Sequence, residues 1–175
     1  MAGSLVKITE TTVSSAVASV TLGGSDWNNS YDVYMVKFLN VAPDTDSRAL
    51  RFRITKSGSA DTTANYDYAT KLLRTDTTFS NLTGVNYSYY EIEGGAGVNA
   101  GELLNGVYYL FNFNNASEYS FVTVENTGRN KNGLHTGQQG GFVHTVASAS
   151  DGVHFYFTSS ANVNSGTFAL YGLKK

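Results

Sequence analysis

No cysteine occurs among the 175 residues, which excludes a disulfide framework and a thiolate metal site and suits assembly in a reducing cytoplasm. No apolar run reaches the ~20 residues of a membrane span, and the opening segment Met1–Lys7 lacks a signal-peptide core. Neither membrane insertion nor secretion by a cleaved signal is therefore expected. Charge is also scarce: 15% of the residues are Asp, Glu, Lys or Arg, where about a quarter is usual. Twelve basic side chains stand against fourteen acidic ones, with no block of like charge, so a non-specific nucleic-acid binder, which needs a basic excess, is not expected. Proline appears once, at Pro43, and no segment sustains a helical apolar period, which leaves strands as the dominant element. There is no internal repeat or heptad from which a fibre shaft could be wound.

What fills the chain instead is Gly, Ser, Thr, Asn and Tyr around short alternating apolar runs. Tyr34, Val36 and Phe38 share one strand face while Val33 and Met35 share the other, so both faces of this strand are partly apolar and it should be central or covered by a partner. Leu50, Phe52 and Ile54 alternate with Arg51 and Arg53, as in a half-buried strand with a basic outer face supported by Arg48 and Lys56. Tyr66–Leu73 reads as a strand, with helix as the competing reading, and 87–90 as extended. Gly106–Phe113 places Val107, Tyr109, Phe111 and Phe113 on one face, and Asn114–Ser117 turns the chain into its hairpin mate Tyr119–Glu125. Gly94–Gly97 and the five-glycine stretch Asn126–Gly141 read as loops, the longer one functional or mobile. Phe142–Ala147 and Gly152–Thr158 read as a hairpin pair across Ser148–Asp151.

The last strand, Ser165–Leu173, sets Phe168, Leu170 and Gly172 against Thr167, Ala169, Tyr171 and Leu173. The second face is too apolar for plain solvent surface, so Tyr171 and Leu173 should meet another sheet or another subunit. The pattern as a whole predicts an all-β, antiparallel two-sheet sandwich, jelly-roll-like, of about 8–10 strands. An extended N-terminal arm or edge strand over 1–17 would precede a single sandwich domain over 18–175.

Candidate sites are few. His135, His144 and His154 lack the i,i+2 or i,i+4 spacing of metal ligands, although His144 and His154 could meet across a hairpin. Asp44-Thr45-Asp46 lacks the glycine and distal glutamate of a calcium loop and reads as an Asp-rich turn. Glu91 and Glu93, two apart on a strand, have a spacing permissive for paired glycosidase carboxylates, as does any polar strand face. Gly94–Gly97 is followed by no Lys-Ser/Thr, so it is not a phosphate loop. No catalytic residue, cofactor or metal is assigned. Possible interface residues are Arg51, Arg53, Val33, Met35, Tyr171 and Leu173, with the arginines suited to an acidic neighbour. Trp27, Tyr31, Tyr66, Tyr68, Tyr87, Tyr89 and Tyr90 invite a sugar-stacking reading that core packing serves equally well. Possible ligand-binding loops carry Trp27, Tyr66, Tyr68, Tyr89, Tyr90, Asn130 and Gln138.

The segments Tyr31–Val36, Tyr66-Asp67-Tyr68, Tyr109–Ser120 and Gly166–Lys174 together resemble small virion structural proteins of tailed bacteriophages, particularly marine and cyanobacterial ones. These motifs are strands and turns, and the resemblance implies no active site. It implies a non-enzymatic protein made in the host cytoplasm and mounted on the virion, at the capsid or tail surface. Capsid decoration, or cement, is the favoured role, as a homotrimer bound to the major capsid protein or another virion protein. A tail-associated module that binds a receptor or host-surface glycan is the alternative.

Overall fold

A computed structural model describes residues 4–76 and 79–173, apart from the side chains at 93 and 94. Thirteen strands follow one another among the described residues. They are β1 (Leu5–Val13), β2 (Val20–Gly23), β3 (Val33–Pro43), β4 (Arg48–Lys56), β5 (Ser59–Ala60), β6 (Tyr66–Arg74) and β7 (Ser80–Tyr87). After these come β8 (Tyr90–Ala96), β9 (Leu104–Phe111), β10 (Ser120–Arg129), β11 (His135–His144), β12 (Gly152–Phe157) and β13 (Val163–Leu173). The large sheet has the order β1-β13-β3-β9-β10-β11-β6-β7, and the small sheet runs β2-β12-β4, with β5 and β8 both paired to the far side of β4. All pairings are antiparallel.

Two sheets face each other, and the order β1-β13-β3-β9 against β2-β12-β4-β8 is a jelly roll. The hairpins β6-β7 and β10-β11 extend one of its sheets to eight strands. The all-β sandwich is thus the architecture the alternation dictates. Strands exceed the expected 8–10 because β5, β7 and β8 form between the strands that alternation marks, and others run longer than expected. The segment Asn126–Gly141 is not a long loop: it supplies the end of β10 and most of β11, leaving only Asn130–Leu134 as the connection. Gly94–Gly97 likewise continues β8 as far as Ala96. Residues 87–90 are a corner, with Ser88 and Tyr89 carrying the chain from the large sheet to the small one.

The hairpin expected between Phe142–Ala147 and Gly152–Thr158 does not exist. β11 pairs with β10 and β6, whereas β12 pairs with β2 and β4, so residues 145–151 cross between the sheets. Segment 1–17 holds an edge strand, β1, hydrogen-bonded to β13 from Leu5 to Val13 with a bulge between Lys7 and Thr9.

The interior is aromatic. Phe52 of the small sheet lies 5.0 Å from Phe142 and 5.3 Å from Phe155, and Phe38 meets Tyr108 edge-on at 5.4 Å. Tyr90 stacks on Phe142 at 4.6 Å. β3 and β13 place Tyr34, Val36, Phe38, Phe168 and Leu170 in this core, each at most 1% exposed. Their alternate residues must therefore point away from the sandwich.

Candidate functional site: the outer face of the large sheet

Alternation, applied through the observed register, decides what the outer face carries. Leu5 pairs with Leu173, Leu173 with Val33, Val33 with Phe111, Phe111 with Phe121 and Phe121 with Val143. Six consecutive strands thus place an apolar side chain in one line, which at ~4.8 Å per strand runs about 24 Å across the sheet. The next line holds Tyr171, Met35 and Tyr109 as direct neighbours. Leu5, Leu173, Phe121 and Tyr109 are 49%, 46%, 47% and 45% exposed, so no described element of the chain covers them. A contiguous apolar patch of this kind on a folded surface marks an interaction site.

Charge frames the stripe. In the third line Glu10, Ala169, Lys37, Val107, Glu125, Gln139 and Lys71 follow one another, so acid and base alternate along it. Lys7 begins the second line and Asp67 ends the first. Two grooves give the face relief. One, of 500 Å³, lies among Tyr68, Val85, Phe121 and Val143, with Gly84 and Gly141 also in its lining. The other, of 380 Å³, lies among Leu39, Leu73 and Val107 over Gly106 and Gly137.

Four of the six interface residues named from the sequence, Val33, Met35, Tyr171 and Leu173, therefore come together as adjacent cross-strand pairs. Arg51 and Arg53 do not join them. They lie on the outer face of the small sheet, across the sandwich. Arg51 binds Glu91 at 2.6 Å and stacks 3.6 Å above the Tyr89 ring. Arg53 donates from Nε to the Ser88 carbonyl at 2.8 Å and lies 4.7 Å over Tyr156. Lys56 is held 2.9 Å from Asp61. The basic strip is thus largely committed to partners within the chain, and Glu91 is an ion-pair partner; the side chain of Glu93 lies outside the described residues.

The proposed ligand-binding loops are corrected more sharply. Tyr66, Tyr90 and Gln138 are fully buried within β6, β8 and β11. The Tyr66 hydroxyl donates to the Asp61 carbonyl at 3.0 Å and accepts from the Ile54 N–H at 3.1 Å, while Gln138 donates to Thr70 Oγ1 at 2.8 Å. Asn130 is also buried, its side-chain Oδ1 accepting the N–H groups of Asn132 and Leu134 to shape the β10–β11 turn. Tyr68 is half-buried in β6, its ring covering Gly84. Trp27 stacks at 3.9 Å on Tyr34, and Tyr89 lies beneath Arg51. Tyr66 and Tyr90 are thus core packing elements, while Trp27, Tyr68 and Tyr89 are half-buried against other rings or Arg51.

His144 and His154 are separated by the crossing of the chain between sheets: His144 faces the interior and His154 bonds Thr21 on the outer face of the small sheet at 2.9 Å. His135 bonds Thr127 at 2.8 Å on the large sheet. Among the described residues no cluster of three or more His, Asp or Glu side chains could hold a metal. Asp44 accepts from Asn162 N and Nδ2 at 3.0 and 2.7 Å, so Asp44-Thr45-Asp46 clamps a turn against the start of β13.

The buried histidine has a consequence for stability. Burial pushes His144 below its ordinary value, helped by the Lys56 ammonium, and outweighs Asp61, whose Oδ2 lies 3.2 Å from His144 Nε2. Burial would raise the Asp61 carboxyl, but hydrogen bonds from Thr63 and the Lys56 ammonium hold it far below the usual carboxylate range. A histidine whose folded pKa is depressed binds fewer protons folded than unfolded, so its contribution is full above the unfolded value of about 6.5 and is lost as pH falls below it. Asp61 adds a second loss beginning below about pH 4. Burial and the Arg53 guanidinium depress His154 in the same direction, so thermal melts should be level from pH 8 to 7 and decline below about 6.5, and His144→Gln should reduce, not abolish, the decline between about pH 6.5 and 5. Parallel wild-type and variant curves would remove His144 from this account.

Sequence reasoning passed over Tyr109, Phe111, Phe121, Val143 and Leu5 as members of the outer face. The signal was present in Gly106–Phe113, which like Tyr31–Phe38 is apolar on both faces, and in its hairpin partner, where Phe121 falls opposite Phe111. Compared with protein-family models, curated proteins and solved structures, the chain matches none.

Proposed function

We propose that this chain is a non-enzymatic structural protein of a bacteriophage virion, a capsid decoration protein that works by packing the outer face of its large sheet against further copies of itself. The observation that carries self-association is the unbroken apolar line from Leu5 to Val143. A second copy suits the face on two counts. Eight strands at ~4.8 Å and about eight residues at ~3.3 Å give roughly 1,000 Å², above the ~800 Å² per partner of a standard interface. Its charged margin alternates in sign, so one copy can meet another without like charges being forced together.

The placement on a virion is supported by the resemblance of the strand and turn segments to small structural proteins of tailed phages. A homotrimer bound to the major capsid protein is the state proposed. Light scattering on the full chain should return three times the 18.8 kDa protomer mass, insensitive to salt because the contact is apolar. Purified particles should carry the protein in copy numbers that scale with capsid sites. A monomer at micromolar concentration would defeat the self-association, and a handful of copies confined to the tail would defeat the decoration role.

A further inference from the structure

A second feature lies at one end of the sandwich, where the β2–β3 connection (residues 24–32) meets the β9–β10 connection (residues 112–119). Asn114 ties the two together. Its Oδ1 accepts from Trp27 Nε1 at 2.8 Å, and its Nδ2 donates to the Tyr31 carbonyl at 3.0 Å and the Tyr34 hydroxyl at 2.6 Å. The Tyr34 hydroxyl in turn donates to the Asn28 carbonyl. Beneath this strut Trp27 stacks on Tyr34, and the Tyr31 ring lies over Gly172, where a Cβ would come within 2.3 Å of it. These contacts tie the two connections to each other and to the sheet, and between them opens a cleft of 420 Å³.

Its lining decides its chemistry. Asn29, Asp32, Asn112 and Asn115 stand around it with Tyr31. Asn112 spends its Nδ2 on the Tyr119 carbonyl and Asn115 its Oδ1 on the Ser117 N–H, which leaves Asn112 an amide oxygen and Asn115 an amide nitrogen outside those two bonds. No Lys, Arg or His lines the cleft, which removes the counter-charge that a phosphate, sulfate or carboxylate requires. Apart from Tyr31 and Ala116 the lining is polar, unlike the grooves of the large sheet, so an apolar ligand has little to bury there. Amides that both donate and accept, beside a carboxylate that only accepts, match adjacent hydroxyls, each at once donor and acceptor. The volume lies within the range of small-ligand pockets.

We infer that this cleft binds a neutral glycan, with Asp32, Asn29, Asn112 and Asn115 as the hydroxyl-binding groups and Asn114 as the positioning residue behind them. The cleft lies at the end of the apolar line, Asp32 and Asn112 adjoining Val33 and Phe111 in the chain, and its lining includes neither Tyr66 nor Tyr90. Saturation-transfer NMR on the full, assembled chain should test it, with the methyl glycosides of glucose, galactose, mannose and N-acetylglucosamine at millimolar concentration. At least one glycoside should receive transfer and shift the side-chain amide signals of Asn29, Asn112 and Asn115. Asp32→Ala and Asn115→Ala should each weaken binding about tenfold at unchanged oligomer mass, and inorganic phosphate should not compete. The inference is overturned if no glycoside receives transfer, if transfer survives both substitutions, if phosphate displaces the sugar, or if the amide signals stay in place. That last measurement uses the wild-type chain and stands even where a variant misfolds.

Discussion

A chain carrying Phe121→Asp together with Leu173→Asp should be a monomer that keeps the native β-sheet circular dichroism and melts cooperatively. The two side chains sit three strands apart in one line, with Val33 and Phe111 between them, so the pair places charge at two points of the same stripe. Burying each is worth about 1.5–3 kcal/mol, so losing both weakens an interface by roughly two to four orders of magnitude. A carboxylate forced into that contact with no partner adds to the loss. The folded protomer has little to lose, since Phe121 and Leu173 are already 47% and 46% exposed on it. Sedimentation of wild type and variant across a concentration series checks this, and the variant's melting temperature should become independent of concentration. Equal masses would show that the stripe is not the contact, and an unfolded double variant would show that these side chains hold the sandwich together instead. Salt supplies a separate discriminator. Docking through Arg51 and Arg53 would weaken as ionic strength rises, whereas an apolar contact persists.

The fold and half of this face were legible in local pattern for one reason: strands that are apolar on both sides announce themselves. Val33, Met35, Tyr171 and Leu173 could be picked out in that way. That they are cross-strand neighbours could not, because register is fixed by pairings 140 residues apart, such as Leu173 with Val33. The glycines misled in the opposite direction. Of the five in Asn126–Gly141, Gly128, Gly137, Gly140 and Gly141 lie in strands, where a Cβ on Gly128 would come 2.5 Å from the Leu103 carbonyl and one on Gly141 2.6 Å from that of Val122. They mark close backbone approach, which local composition does not distinguish from a loop. Residues 145–151 carry ordinary turn chemistry, and only the sheet that each flanking strand joins decides between a hairpin and a crossing. The tyrosines failed for a third reason. A ring with a polar tip suits a sugar platform and a core equally, and Tyr66 became core because Asp61 and Ile54 satisfy its hydroxyl inside the sandwich.

Phe52→Ala should cost about 3–5 kcal/mol, a large part of the 5–15 kcal/mol by which a domain is ordinarily stable. Phe52 sits in β4, between β12 and β8, with Phe155 and Tyr90 as its cross-strand partners. Its ring meets Phe142 and Tyr108 of the opposite sheet at 5.0 and 6.2 Å, so it fills the space between the layers. The cavity left behind has no easy way to close. Phe142 is held by its stack on Tyr90, and Phe155 by contacts with Phe38 at 5.8 Å and Phe168 at 5.2 Å. Urea unfolding should therefore show a lower midpoint at an unchanged slope, and Phe52→Leu should lose well under half as much. Assembly would blur the comparison, because self-association adds concentration-dependent stability, so the measurement belongs in the Phe121→Asp, Leu173→Asp background. There, Phe111→Ala, on the outer face, should cost no more than about 1 kcal/mol. A loss below that figure for Phe52→Ala, or a comparable loss for Phe111→Ala, would mean that the two faces have been assigned the wrong way round.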